Sequence, residues 1–188
     1  MQYQEQAGCL LSSPKQVPDD LSYPIGKFDL KNFADRGENL QTIADLPSAV
    51  AAAVAGLSDE QLDTEYRPGG WTLRQTVHHI ADSHSNSLMR FKLALTEDTP
   101  PTIRPYYEER WAELADSKLP IDVSLKMTDA IHTRWSALLA SMTDDDFRRE
   151  FVHPETGNWP LESALALYAW HSKHHTAHIT HLRERMGW

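Results

Sequence analysis

The chain has 188 residues, 40% hydrophobic and 24% charged, which suits one folded domain with its own core and excludes a disordered or membrane composition. A formal charge of −9, from 27 acidic against 18 basic residues, repels phosphate backbones and anionic lipid, so neither nucleic acid nor a membrane is expected as a partner. Cys9 is the single cysteine, the longest apolar run (Ala49 to Leu57) falls well short of the ~20 residues of a membrane helix, and the first residues lack a secretory pattern, so a cytoplasmic location is expected.

Residues 1–20 are polar, interrupted by Pro14 and Pro18, and read as an N-terminal extension outside the fold; residues 21–188 read as one domain. A helix is predicted from about Leu40 to Leu57, with Pro47 making a start or a kink within it. Ser58-Asp59-Glu60-Gln61 has the form of a capping box and opens a short helix that Pro68-Gly69-Gly70 ends. Thr72-Leu73-Arg74-Gln75 is a second capping box, and helical chemistry runs from it to about Thr96, before Pro100-Pro101. Residues 102–120, with Pro105 and the paired Tyr106 and Tyr107, read as a loop with a turn or two of helix, placed to cap a pocket. A further helix spans about Asp122 to Ser141, with Leu125, Ala130, Ile131, Trp135, Leu138 and Leu139 at near-helical spacing. Thr143 starts a short capped segment, and the last helix runs from Pro160 to Met186 with Gly187 at its end. Four long helices and no clear strand predict an all-α four-helix bundle, whose long connections imply one or two crossovers.

Ten histidines are concentrated in two places. At about 100° per residue, Leu161, Ala164, Tyr168, Ile179, Leu182 and Met186 of the last helix share one apolar stripe, and His171 and His175 fall within it or at its edge, one turn apart. A lone buried imidazole is ordinarily a core residue bonded to a hydroxyl or carbonyl. Two on one stripe at H-x-x-x-H spacing can instead share a metal ion, whose bonds offset the cost of burying polar rings. His174 and His178 lie at the stripe's border and His181 further round, as positions that support the site or face solvent. The second cluster is His78-His79-Ile80-Ala81-Asp82-Ser83-His84. Leu73, Val77, Ile80, Leu88, Phe91 and Leu95 form that helix's apolar stripe, with His84 in it as a satisfied core histidine. Gln75, His79, Asp82, Ser83, Asn86 and Arg90 gather opposite, as a solvated face or as the wall of a polar cavity in which His79 supplies a third ligand and Asn86 or Arg90 contacts substrate. Spacing alone leaves both readings open.

Gly69-Gly70-Trp71-Thr72-Leu73-Arg74-Gln75, leading into His78-His79-Ile80-Ala81-Asp82, then Arg90-Phe91-Lys92 and Trp170-His171-Ser172-Lys173-His174-His175, closely resembles the YfiT-type metal-dependent hydrolases of the DinB superfamily. The similarity extends from about Leu21 to Trp188. It implies a four-helix bundle, a homodimer, and one divalent metal ion per subunit, zinc or nickel, on three histidines. Carried over, the ligands are His79, which the resemblance favours over His78, with His171 and His175. The extension through Cys9 departs from the pattern.

Three neutral imidazoles leave an ion its full charge and an open position, the pattern of a catalytic site. Water in that position becomes a nucleophile, the hydrolase reading; a low-molecular-weight thiol becomes thiolate, the reading suggested by related bacillithiol-type S-transferases. A non-catalytic metal-binding bundle is the third. Hydrolysis usually wants a separate base, and no Glu stands between His171 and His175, so Asp82 or His178 is the candidate. The expected partner is a small-molecule substrate.

Overall fold

Two of the four long helices start where a side chain takes over unpaired backbone N–H groups. The computed structural model describes residues 19–188, so most of the predicted extension, with Cys9, lies outside the described residues. Asp35 accepts from the Glu38 N–H and opens helix α1, Arg36–Val54. Thr72 and Gln75 satisfy each other's backbone N–H groups and open α2, Leu73–Thr96. Helix α3 spans Asp122–Ala140, and α4 spans Leu161–Met186, closing on Gly187 at φ 70°, a left-handed conformation that costs glycine nothing. The boxes at Ser58 and Thr143 also form, on helices Asp59–Leu62 and Asp144–Arg148.

Helix α1 packs against α3 and α4, and α2 packs against the same two, so α1 and α2 face each other across one diagonal of the bundle and α3 and α4 across the other. Consecutive helices therefore cross over in two of the three connections, as the long linkers imply.

Four expectations change. Helix α1 begins at Arg36 and not near Leu40, because Asp35 supplies a cap that apolar periodicity does not register. Pro47 lies within that helix and does not start it. Two strands are present where none was predicted: β1, Glu150–His153, pairs antiparallel with β2, Gly157–Pro160. They are four residues each, too short for a period-2 signal, and Pro160 is the last strand residue, with Leu161 the first of α4. On α3, Ala130 is exposed, while Ser124, Thr128 and His132 are buried with Trp135 and Leu139. The inward face of α3 is thus polar over half its length.

The core divides accordingly. One apolar cluster holds Ile43, Phe91, Trp135, Leu139, Leu161 and Leu165, and a second holds Leu46, Val50, Leu73, Ile80, Ile179 and Leu182. Each such fully buried side chain contributes about 1.5–3 kcal/mol. Between the clusters, along α2, α3 and α4, lies a buried polar layer: His79, Ser83, His84, Thr128, His132, Ser172 and His175.

Candidate metal centre

Residues of that layer meet where α2 faces α4. His79 Nε2 and His171 Nε2 stand 3.2 Å apart. His175 closes the group, its ring centroid 4.8 Å from that of His79 and 4.4 Å from that of His171. The three offer nitrogens that all lie within 4.8 Å of one another. The i, i+4 spacing on α4 stacks His171 and His175 on successive turns, and α2 brings His79 between them. Trp71, just before α2, lies against His79 at 4.5 Å and stacks near His175 at 6.3 Å.

Burial, and then the neighbouring imidazoles, keep these rings neutral. The His79 pKa falls to about 3, with His174 adding to the desolvation. Those of His171 and His175 fall well below the ordinary value, burial first and the adjacent histidines second. Neutral rings carry lone pairs, and His175 Nδ1 is buried with no hydrogen-bond partner. Three neutral imidazoles within 4.8 Å offer lone pairs that a divalent ion would take up, offsetting the roughly 1–3 kcal/mol that an unpaired buried polar group costs. The donor set therefore fits a metal.

A second group, His174, His175 and His178, meets the same distance limit. Both His174 and His178 are buried, not at the surface. His178 Nε2 donates to the Ser22 carbonyl at 3.3 Å, while its Nδ1 and that of His174 lack partners. The two groups share His175, whose single lone pair serves one of them at a time. His78 is excluded by its bonds: Nε2 donates to the Leu119 carbonyl at 3.1 Å and Nδ1 lies 2.6 Å from Ser124 Oγ, which spends both nitrogens. His181 is exposed.

Residues 42–179 match the family model of the DinB superfamily. The chain belongs to the DinB superfamily. A DinB relative from Bacillus mycoides (strain KBAB4), named "putative metal-dependent hydrolase", is 55% identical over 174 residues, 90% of this chain and 99% of its own. One of the same description from Bacillus cereus (strain B4264) is 56% identical over 173 residues, with the same shares covered. A solved structure, described as YfiT from Bacillus subtilis, "a probable metal-dependent hydrolase with an unusual four-helix bundle topology", superposes with a TM-score of 0.84 at 50% identity, covering 90% of this chain and 99% of its own.

Around the histidine group of this DinB bundle lie the other residues singled out in the sequence. Ser83 is buried, its Oγ 3.5 Å from His171 Nε2 and 3.4 Å from the Tyr168 hydroxyl. Arg90 Nη1 reaches the same hydroxyl at 3.5 Å. Asn86 spends an amide N–H on the Asp82 carbonyl at 2.9 Å, so only the rest of that side chain is free for a ligand. Asp82 is half-buried, and burial, with Asp116 adding, pushes its carboxyl up to about 6. The segment between α2 and α3 caps this side: Gln75 Nε2 donates to the Ala112 carbonyl at 2.9 Å. Burial and then Glu108 hold the buried Tyr106 hydroxyl neutral, against an opposing hydrogen-bond contact from Ser83, with Tyr168 and Asp82 also felt by it.

One histidine of the layer escaped sequence reasoning. His132 of α3 is 1% exposed, and its Nε2 lies 3.0 Å from His84 Nδ1; His84 Nε2 in turn lies 3.1 Å from His171 Nδ1. His84 is a satisfied core histidine as expected, but both its partners are histidines. Apolar periodicity passed over His132 because that face of α3 is polar.

Proposed function

We propose that this protein is a metal-dependent hydrolase of small molecules, with one zinc or nickel ion per subunit on His79, His171 and His175. The carrying observation is the meeting of three neutral imidazoles from two helices, two with opposed Nε2 atoms at 3.2 Å and the third with a buried, unpartnered nitrogen. The names of the DinB relatives support the same reading. Once bound, the ion supplies Lewis acidity: it lowers the pKa of water and polarises an electrophile.

The chain's own residues supply the rest. Asp82, with its carboxyl near pH 6, takes up and returns a proton near neutrality. His178, held near 3 by burial and then by His174, is neutral there, has an unpartnered Nδ1 and lies with its ring 5.4 Å from that of His175, as the alternative base. Tyr106, beside Ser83, offers an O–H to a substrate oxygen, and Arg90 with Asn86 lines the approach. Trp71 excludes water from the side of His79 and His175.

The test is metal content per chain for the wild type and for His79→Ala, His171→Ala and His175→Ala, with helix content followed by circular dichroism. About one ion per wild-type chain and less than a tenth of that in folded variants is expected. Ion retained by those variants, and lost by His174→Ala or His178→Ala, would move the centre to the second group. Turnover is then assayed on activated esters and amides with and without a low-molecular-weight thiol; activity that requires the thiol would replace hydrolysis by S-transfer. The family resemblance also leads us to propose a homodimer, which sedimentation equilibrium measures directly.

A further inference from the structure

Helix α1 carries an unusual acceptor. In an α-helix the carbonyl of residue 43 receives the N–H of residue 47, but Pro47 has none. The Ile43 carbonyl is therefore released from the helix ladder, and His132 Nδ1 of α3 meets it at 2.5 Å. From there the contacts continue without a break: His132 Nε2 to His84 Nδ1 at 3.0 Å, then His84 Nε2 to His171 Nδ1 at 3.1 Å. One residue from each of the four long helices is joined in a single line.

A carbonyl can only accept, so every proton in that line is determined. His132 must carry its proton on Nδ1. Being neutral, it presents a lone pair at Nε2, so His84 must donate from Nδ1. By the same step His84 accepts at Nε2 and His171 donates from Nδ1, which leaves the lone pair of His171 at Nε2, facing His79 Nε2 at 3.2 Å. The reversed set would press a ring lone pair against the carbonyl oxygen. Burial disfavours the charged form of all three rings, so no imidazolium interrupts the alternation.

We propose that Pro47, His132 and His84 are positioning residues: the carbonyl that Pro47 releases locks a three-histidine relay in one direction, and the relay holds His171 in the tautomer whose Nε2 faces the metal centre. Because its far end is a carbonyl that cannot take a proton, the relay orients and does not conduct. The inference rests on the proposed ligand role of His171.

The test begins with the metal-free protein, where ¹⁵N resonances of the histidine side chains report tautomers. His132, His84 and His171 are expected as Nδ1–H forms, and unchanged when zinc is added, because the ion takes a lone pair already exposed. An Nε2–H form of His84 or His171 would overturn the relay whatever the fate of the metal reading; a wild type that takes up no zinc, with all three Nδ1–H forms present, would sink the metal reading and leave the tautomer lock standing. Zinc affinity is then measured for His132→Phe, which keeps ring volume and loses both nitrogens, and for His132→Gln, whose amide can donate to Ile43 and accept from His84. His132→Phe is expected to bind zinc 10- to 100-fold more weakly and to show mixed His171 tautomers, with His132→Gln restoring most of both. A folded His132→Phe with wild-type zinc affinity and a single His171 tautomer would refute the positioning role; if that variant does not fold, the ¹⁵N result on the wild type and the affinity of His132→Gln decide.

Discussion

Asp82 is the residue whose chemistry can be tested most simply. Its carboxyl sits about halfway out of solvent, and burial raises its pKa to about 6. A base must be deprotonated to act, so activity that depends on Asp82 should rise with pH and level off above about 6. Asp82→Asn should lower kcat by roughly 10²-fold or more and abolish that acidic limb while leaving metal content unchanged. A pH–rate profile for both proteins measures it; an unchanged limb in Asp82→Asn would assign the titration elsewhere. At the same scale, identity within a histidine pair is decided by bonds. His78 and His79 are neighbours in the chain, yet the first is spent on Ser124 and Leu119 and the second faces His171. No spacing rule separates them; the 100° turn between successive residues, set against fixed neighbours, does.

At the scale of elements, α2 carries the most site residues and has the best-defined start. The reciprocal Thr72–Gln75 cap, with Arg74 held by Asp59 and Asp63 at 2.8 and 2.6 Å, ties the first turn of α2 to the short helix before it. Thr72→Ala removes the oxygen that accepts the Gln75 N–H and should cost about 1 kcal/mol of stability. Denaturant unfolding reads that cost, and metal affinity should be little changed, since His79 lies two turns away. The β1–β2 hairpin sets the other end of the bundle: Leu161 N–H donates to the Arg149 carbonyl at 2.8 Å, and Ile103 donates to Val152 at 2.9 Å, so the hairpin launches α4 and fastens the segment after α2. Helices were legible because caps and breakers are local in sequence: Thr72 with Gln75, Ser58 with Gln61, Thr143 with Asp146, Gly187. The hairpin was not, because four-residue strands derive their stability from partners and not from their own pattern.

For the whole molecule, the notable feature is a polar layer inserted between two apolar clusters. Eight histidines there and beside it have pKa values lowered, in each case chiefly by burial. Each ring binds its proton near pH 6.5 when unfolded and only at lower pH when folded, so below 6.5 the unfolded chain holds more protons and stability falls as the pH is lowered. Each such ring contributes up to about 1.4 kcal/mol per pH unit within its window. The metal-free protein should therefore lose several kcal/mol between pH 7 and pH 5, measured as a falling urea midpoint; a midpoint constant over that range would mean the rings are already solvated. Among the described residues no helix is long and apolar enough to cross a membrane, in keeping with the composition.

By itself the sequence determined what is local or periodic: four long helices, the caps at Thr72 and Gly187, the apolar stripe of α2 and that of α4 short of the exposed Met186, and the projection of His171 and His175 from one face. Family resemblance selected His79 over His78. Tertiary structure alone decided which partners those rings meet, because that depends on helices far apart in the chain. His132 and Pro47 show the reason most clearly. Neither has a sequence signal for function, since a histidine on a polar stretch and a proline in a helix both read as defects. Only when α1 and α3 pack does the carbonyl that Pro47 leaves unpaired meet His132 Nδ1, at 2.5 Å.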